Sequence, residues 1–309
     1  MKTFPRVSCI IWERNPLDLF ADDALISYPP TLQHHFLQNL GPLNNLCSLR
    51  VSFEDGVGFF SRCSSYLSHW STTLQDIYFS GRVVNVIQFL RALPPASRLQ
   101  SLSIGAHGSW SPFDLLSVLM SLPAGSQEPM FDCLELCEEE SPPVESDMED
   151  INMFRGCFSI AYPGLHHAIG PHLRFITLDL NLDLAFPSNF LDVFAGAPRI
   201  KHLLIGLSVA EVSFPTTDIC FEDIVDFAKM AKELAVLHVP WAWGSKDLTD
   251  TGDLEDVNKN LMILGIACFA MSIEDEDIIP PTIRRCFPYL TRVEPLTCFS
   301  DDWEGIWMS

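Results

Sequence analysis

Arg98-Leu99-Gln100-Ser101-Leu102-Ser103-Ile104 is one copy of a phrase that recurs along the chain, apolar-x-x-apolar-x-apolar. A second clear copy is Asn45-Leu46-Cys47-Ser48-Leu49-Arg50-Val51. Others are Leu74-x-x-Ile77-x-Phe79, Phe131-x-x-Leu134-x-Leu136, Leu173-x-x-Ile176-x-Leu178 and Ile200-x-x-Leu203-x-Ile205. Leu234-x-x-Leu237-x-Val239 and Leu261-x-x-Leu264-x-Ile266 follow. Weaker copies open and close the series at Phe4-x-x-Val7-x-Cys9 and Leu290-x-x-Val293-x-Pro295. Chance produces single apolar triplets in a chain that is 48% hydrophobic, so the spacing carries the weight. Between middle apolar residues, the steps 49→77, 77→102, 176→203, 237→264 and 264→293 are 28, 25, 27, 27 and 29 residues. The steps 102→134 and 203→237 are 32 and 34, and two outliers, 7→49 and 134→176, are 42.

Between the copies the pattern changes period. Residues 83–93 place apolar side chains at helical spacing and end at Pro94-Pro95. Residues 112–120 follow Ser111, with Pro112 in the first helical position behind a Ser cap. Residues 221–231 read the same way. Each unit is therefore a short strand, a loop, a helix and a return loop. One such unit cannot bury its own strand and helix, whereas stacked units bury the inward positions as a continuous core. Strand–crossover–strand units make a parallel sheet, and nine or ten copies span about 40 Å.

The phrase Leu-x-x-Leu-x-Ile/Val at irregular spacing resembles the leucine-rich repeats attached to F-box domains, particularly in basidiomycete fungi. The resemblance covers nearly the whole chain, from Phe4 to Pro295. It implies an α/β leucine-rich-repeat solenoid, a curved parallel sheet with outer helices. It also implies a single domain over 1–309, with an irregular segment at 10–45 and an acidic insertion at 137–150. Two departures stand out. The Asn/Cys position of such repeats is filled by Glu54, Arg82, His107, Glu139, Asn181, Ser208, Ala242 and Phe269, of which Asn181 alone fits. An N-terminal Leu-Pro-x-Glu phrase of an F-box is absent from this sequence, and the first repeat begins almost at Met1. The expectation is either an upstream domain missing from this chain or a cap made by segment 10–45.

Charge narrows the partners. Lys and Arg number 19 against 40 Asp and Glu, a formal charge of −21. That field repels phosphate backbones and anionic membranes, which excludes nucleic acid and membrane surfaces as partners. The longest apolar run, 261–271, falls short of the ~20 residues a spanning helix needs. The N-terminus has no signal-peptide h-region, there is no Asn-x-Ser/Thr sequon, and the ten cysteines form no Cys-x-x-Cys. Several cysteines sit in apolar runs and read as buried free thiols, so the expected compartment is cytoplasmic or nuclear.

The insertion holds Glu138-Glu139-Glu140-Ser141-Pro142-Pro143-Val144-Glu145-Ser146-Asp147-Met148-Glu149-Asp150. It reads first as a solvated loop. It reads second as a docking strip for a basic partner, or as a phosphorylation site at Ser141 or Ser146. The run Glu274-Asp275-Glu276-Asp277 reads as a helix start or exposed loop.

Strand side chains alternate faces, so residues between the inward positions point to the concave side. In the first half these include Ser48, Arg50 and Ser52; Asp76, Tyr78 and Ser80; Ser101, Ser103 and Gly105; and Cys133, Glu135 and Cys137. In the second half they are Phe175, Thr177 and Asp179; His202, Leu204 and Gly206; Val236, His238 and Pro240; and Ile263, Gly265 and Ala267. The first set is mostly polar and the second more apolar. The expected partner-binding residues are Phe175, Leu204, Val236 and Ile263 as apolar anchors, with Arg50, Tyr78, His202 and His238. The alternative is that a loop, or the tail carrying Trp303 and Trp307, covers this patch.

No phosphate-binding glycine loop, His-Glu-x-x-His or Gly-x-Ser-x-Gly occurs. His166, His167 and His172 lack a Cys or carboxylate at ligand spacing. Trp241-Ala242-Trp243 reads as a surface loop packing on the next unit. No cofactor, metal or catalytic residue is expected, and the chain reads as a non-enzyme. What the resemblance implies is protein recognition, as the substrate-selecting part of an F-box-type ubiquitin ligase reached through a Skp-type adaptor. The alternative is a stand-alone acidic scaffold or inhibitor of a basic protein.

Overall fold

The computed structural model describes residues 9–12, 46–53, 73–93, 99–107, 111–122, 132–139, 156–179, 184–206, 217–243, 257–266, 268–269 and 281–295. Residues 13–45, 140–155, the 274–277 run, Asn181 and the Trp303–Trp307 tail lie outside them. The chain forms two compact units. The first holds Met1–Asp147 and Pro163–Leu173, and the second Met148–Tyr162 and Arg174–Ser309.

In the first unit five strands lie in chain order: β1 (Cys9–Trp12), β2 (Ser48–Phe53), β3 (Asp76–Arg82), β4 (Ser101–His107) and β5 (Cys133–Glu139). Every pair is parallel, and β2 to β5 are in repeat register, as in Leu49↔Ile77↔Leu102↔Leu134; at β1 the expected copy centred on Val7 is corrected, since Ile10 is the residue that pairs with Leu49. The second unit has β6 (Gly156–Cys157), β7 (Phe175–Asp179), β8 (Leu184–Ala185), β9 (His202–Gly206), β10 (Val236–His238), β11 (Ala242–Trp243), β12 (Ile263–Ile266), β13 (Cys268–Phe269) and β14 (Arg292–Pro295). Its main sheet runs β7-β9-β10-β12-β14, again all parallel. Short parallel pairs β6–β8 and β11–β13 form beyond the main strands. This is the α/β leucine-rich-repeat architecture that the spacing predicts, one strand per turn.

The inward positions of the phrase are the core. Leu99, Leu102 and Ile104 are fully buried, as are Ile200, Leu203 and Ile205, and Leu234, Leu237 and Val239. Helices Val83–Ala92, Pro112–Leu119 and Phe221–Met230 occupy the three expected stretches. Ser111 caps its helix as expected: its Oγ accepts from the Asp114 N–H at 3.1 Å, and the Asp114 carboxylate accepts from the Ser111 N–H at 3.0 Å. A nine-residue 3₁₀ segment, Ser188–Gly196, takes the helix position in another turn. Phe186, Phe190 and Phe194 stack edge to face along it, at 5.2 and 5.4 Å between centroids.

Successive turns are joined by one repeated device. The carbonyl before a strand accepts two consecutive N–H groups of the next turn. Gln75 O takes Gln100 and Ser101 at 2.8 and 3.0 Å, and Lys201 O takes Ala235 and Val236 at 2.8 and 3.1 Å. Among the described residues seven carbonyls do this, from Cys47 to Met262.

The structure corrects several expected placements. Trp241 is not a surface residue: it is fully buried, and its indole N–H donates 2.7 Å to the Gly265 carbonyl of the next turn. An indole that large is accommodated only where its N–H finds an acceptor. Cys137–Glu139, placed in the insertion, belong to β5 because they pair with Gly105, Ala106 and His107. Ile10–Trp12, placed in the irregular segment, pair with β2. Among the described residues no helix is long and apolar enough to cross a membrane.

Two positions test this packing. The Asn258 side chain is buried and donates to the Ala228 and Ala231 carbonyls at 3.1 and 2.9 Å. It also accepts from the Asn260 and Leu261 N–H groups. Asn258→Ala orphans these groups and is expected to cost about 2–4 kcal/mol in urea unfolding, against under ~0.5 for exposed Asp226→Ala. At Gly164 an added Cβ would lie 2.8 Å from Leu119 Cβ in the facing helix. Gly164→Ala is therefore expected to destabilise, although alanine is the better helix former.

Candidate functional site

The in-register strands turn the outward positions into columns. In the first unit one column is Ser48–Asp76–Ser101–Cys133, and the next is Arg50–Tyr78–Ser103–Glu135. The second column is internally bonded. The Arg50 guanidinium lies 4.3 Å over the Tyr78 ring, a cation–π contact. Ser103 Oγ donates 2.7 Å to one Glu135 oxygen, and Cys137 Sγ approaches the other at 3.6 Å. The third column, Ser52–Ser80–Gly105–Cys137, is less open than expected, since Ser80 and Gly105 are buried.

In the second unit one column is Phe175–His202–Val236–Ile263–Arg292, and its neighbour is Thr177–Leu204–His238–Gly265–Glu294. Three of the four expected anchors, Phe175, Val236 and Ile263, share a column. His202 stands between the first two and meets the Phe175 ring edge-on at 4.9 Å. Leu204 sits in the adjacent column beside His238. All four anchors are half-buried, as are His202, His238 and Tyr78, whereas Arg50 is exposed. Of the large apolar side chains exposed among the described residues, Val84, Phe113, Met120 and Tyr289 are elsewhere, and Met262 stands just before Ile263 at the entry of β12. Pro240 and Gly265, expected on the face, are buried. The Pro240 carbonyl accepts from Thr217 Oγ1 at 2.6 Å, which draws that end of the strand under the neighbouring segment.

The alternation rule overlooked the positions just before each strand. Because one carbonyl bonds two successive N–H groups there, the chain does not alternate, and both the residue before the strand and its first residue face outward. Arg174 and Phe175 are both half-buried, as are Lys201 and His202, while Ile200 and Leu203 on either side of the latter pair are buried. This edge carries Arg199 and Lys201, which reach one carboxylate, Glu233, at 3.7 and 3.8 Å. Partial burial, with the nearby Lys201 charge, holds the His202 imidazole below its ordinary pKa.

The thiols of Cys133, Cys220 and Cys286 are not poised as nucleophiles. Cys47, Cys133, Cys137, Cys220 and Cys286 are not joined in disulfides. Burial pushes Cys133 up, Cys220 up to about 12 and Cys286 up to about 11; the Asp223 and Glu222 carboxylates add to the rise at Cys220. A thiolate would be needed for nucleophilic attack or metal ligation. Among the described residues, no three His, Cys, Asp or Glu side chains converge as metal ligands.

No family model matches this sequence, and no curated protein matches it. Among solved structures, the leucine-rich-repeat-containing protein LegL7 from Legionella pneumophila superposes at TM-score 0.35, with 12% identity, over 83% of this chain and 85% of that one. That overlay is too loose to argue from, and the repeat architecture rests on the strand register described above.

The thiol placement has a measurable consequence. Native protein treated with iodoacetamide at pH 8 is expected to remain unmodified at Cys220 and Cys286, with rapid labelling on unfolding in urea, mapped by mass spectrometry. Above pH 9 the unfolded chain loses thiol protons that the folded chain keeps, so stability falls as pH rises from 9 to 11. Cys286→Ala should fall less steeply over that range in urea titrations. Rapid native labelling of Cys220 or Cys286 would contradict the placement.

Proposed function

We propose that this chain is a non-catalytic protein-recognition module, and that it selects substrates for an F-box-type ubiquitin ligase in which ubiquitin transfer is carried out by other subunits. The supporting observation is the regular array of outward side chains on each five-stranded sheet. Strands ~4.8 Å apart present aligned rows over about 20 Å per unit, an expanse suited to a protein surface or an extended segment. The rows mix held polar groups (Arg50 on Tyr78, Ser103 on Glu135) with half-buried apolar ones (Phe175, Val236, Ile263), a combination typical of recognition faces. The ligase assignment rests on the resemblance of the repeat phrase alone. The Skp-type adaptor would be reached through an F-box outside these 309 residues, upstream or on an associated subunit that is captured with the chain. Free thiols agree with a cytoplasmic or nuclear site of action.

A second reading is favoured by charge. A chain at −21 is suited to a stand-alone scaffold or inhibitor that binds a basic protein.

Affinity capture from cell extract separates the two, with a Phe175→Ser/Leu204→Ser/Val236→Ser/Ile263→Ser variant alongside. The ligase reading expects adaptor and cullin to be captured with both proteins, and one further protein only with the unsubstituted chain. Absence of the adaptor, with a basic protein retained until salt is raised, would overturn it in favour of the scaffold.

A further inference from the structure

The second unit bears a basic rim in a strongly acidic chain. Among the described residues, the segments just before β7, β9, β10 and β12 carry Arg174, Arg199, Lys201, Lys232 and Lys259 with one carboxylate, Glu233, while the sequence adds Asp253, Glu255 and Asp256 upstream of the β12 segment and the whole chain holds 19 cations to 40 anions. The repeat aligns two of them. The Arg174 carbonyl accepts from the Lys201 and His202 N–H groups, and the Lys201 carbonyl accepts from those of Ala235 and Val236. Arg174 and Lys201 are therefore one strand spacing apart, and the same ladder continues through Ala235 and Met262. The side chains of Arg199 and Lys201 are 56% and 40% exposed, so they can reach a ligand. Directly beside this rim runs the half-buried column Phe175–His202–Val236–Ile263. At neutral pH the lowered His202 adds little charge and behaves as part of the apolar column. Glu233 shows what the rim accepts, since a single carboxylate draws both Arg199 and Lys201.

We infer that this face of the second unit docks an extended acidic segment of a partner protein, in which apolar side chains alternate with Glu or Asp. The apolar side chains would lie along the Phe175–Ile263 column, and the carboxylates would meet Arg174, Arg199 and Lys201 in place of Glu233. The inference rests on the reading of the strand face as a partner-binding surface, and it gives that surface a charge preference opposite to the chain's net charge. At physiological salt the screening length is ~8 Å, so a local rim outweighs distant carboxylates.

The test is fluorescence anisotropy on the full chain with three labelled peptides: alternating Leu-Glu, alternating Leu-Lys and alternating Ser-Glu. The Leu-Glu peptide is expected to bind best, by about tenfold over either of the others, and to weaken as salt is raised. Arg199→Glu/Lys201→Glu should abolish that preference. Glu233→Gln, which removes the competing carboxylate, should strengthen binding several-fold, an effect that a merely structural role for the rim would not produce. Circular dichroism on each variant reports folding. If Leu-Lys binds as well or better, and Phe175→Ser/Val236→Ser weakens it, the face binds partners but the acidic-segment inference fails. If no peptide binds, or binding ignores both the rim and column substitutions, the inference fails together with the reading of the face.

Discussion

One backbone carbonyl per turn, shared by two successive N–H groups of the next turn, is the contact on which the rest of this structure depends. It recurs at 2.7–2.9 Å for the first donor and 3.0–3.2 Å for the second. A parallel strand pair needs a long crossover, and the crossovers here vary widely in length. The shared carbonyl resets the register after each one. Without it, a one-residue slip would turn Leu203 or Leu237 outward and bury a neighbouring imidazole, His202 or His238. It also bends the chain so that two consecutive residues face solvent before alternation resumes, which creates both the rim and the first column.

Away from that ladder, three of the described corners are closed by devices of their own. Asn258 ties a helix end to the following turn, Trp241 bonds the Gly265 carbonyl, and Thr217 holds the Pro240 carbonyl while accepting from the Ile219 N–H. These are single polar side chains that satisfy buried backbone groups which a uniform asparagine ladder would otherwise satisfy. The irregular spacing and the missing asparagines thus have the same physical basis: each turn solves its hydrogen-bond accounting separately.

Much of the architecture was legible from the apolar phrase. The inward positions, the three helices and the parallel order all follow from a period near 27 residues combined with strand alternation. The corner residues were not legible, because hydropathy reports which side of an element is buried and not which neighbouring turn a polar atom reaches. Trp241 was misjudged for that reason. The columns were half legible. Phe175, Val236 and Ile263 do share a row, but Ser80, Gly105 and Pro240 do not stand on the open face. Strict alternation also passed over Arg174 and Lys201, the residues that give the second unit its local charge.

The proposed recognition faces are built of columns, and columns exist only if the register holds. Residue-resolved hydrogen exchange of the native protein tests that register most directly. The N–H groups of Gln100, Ser101, Ala235, Val236, Met262 and Ile263 are expected to exchange as slowly as the buried strand amides of Leu203 and Leu237, through global opening alone. Exchange of these pairs at loop rates, while the strand amides stay protected, would mean that the shared carbonyls do not hold the turns and that the columns built on them are not fixed.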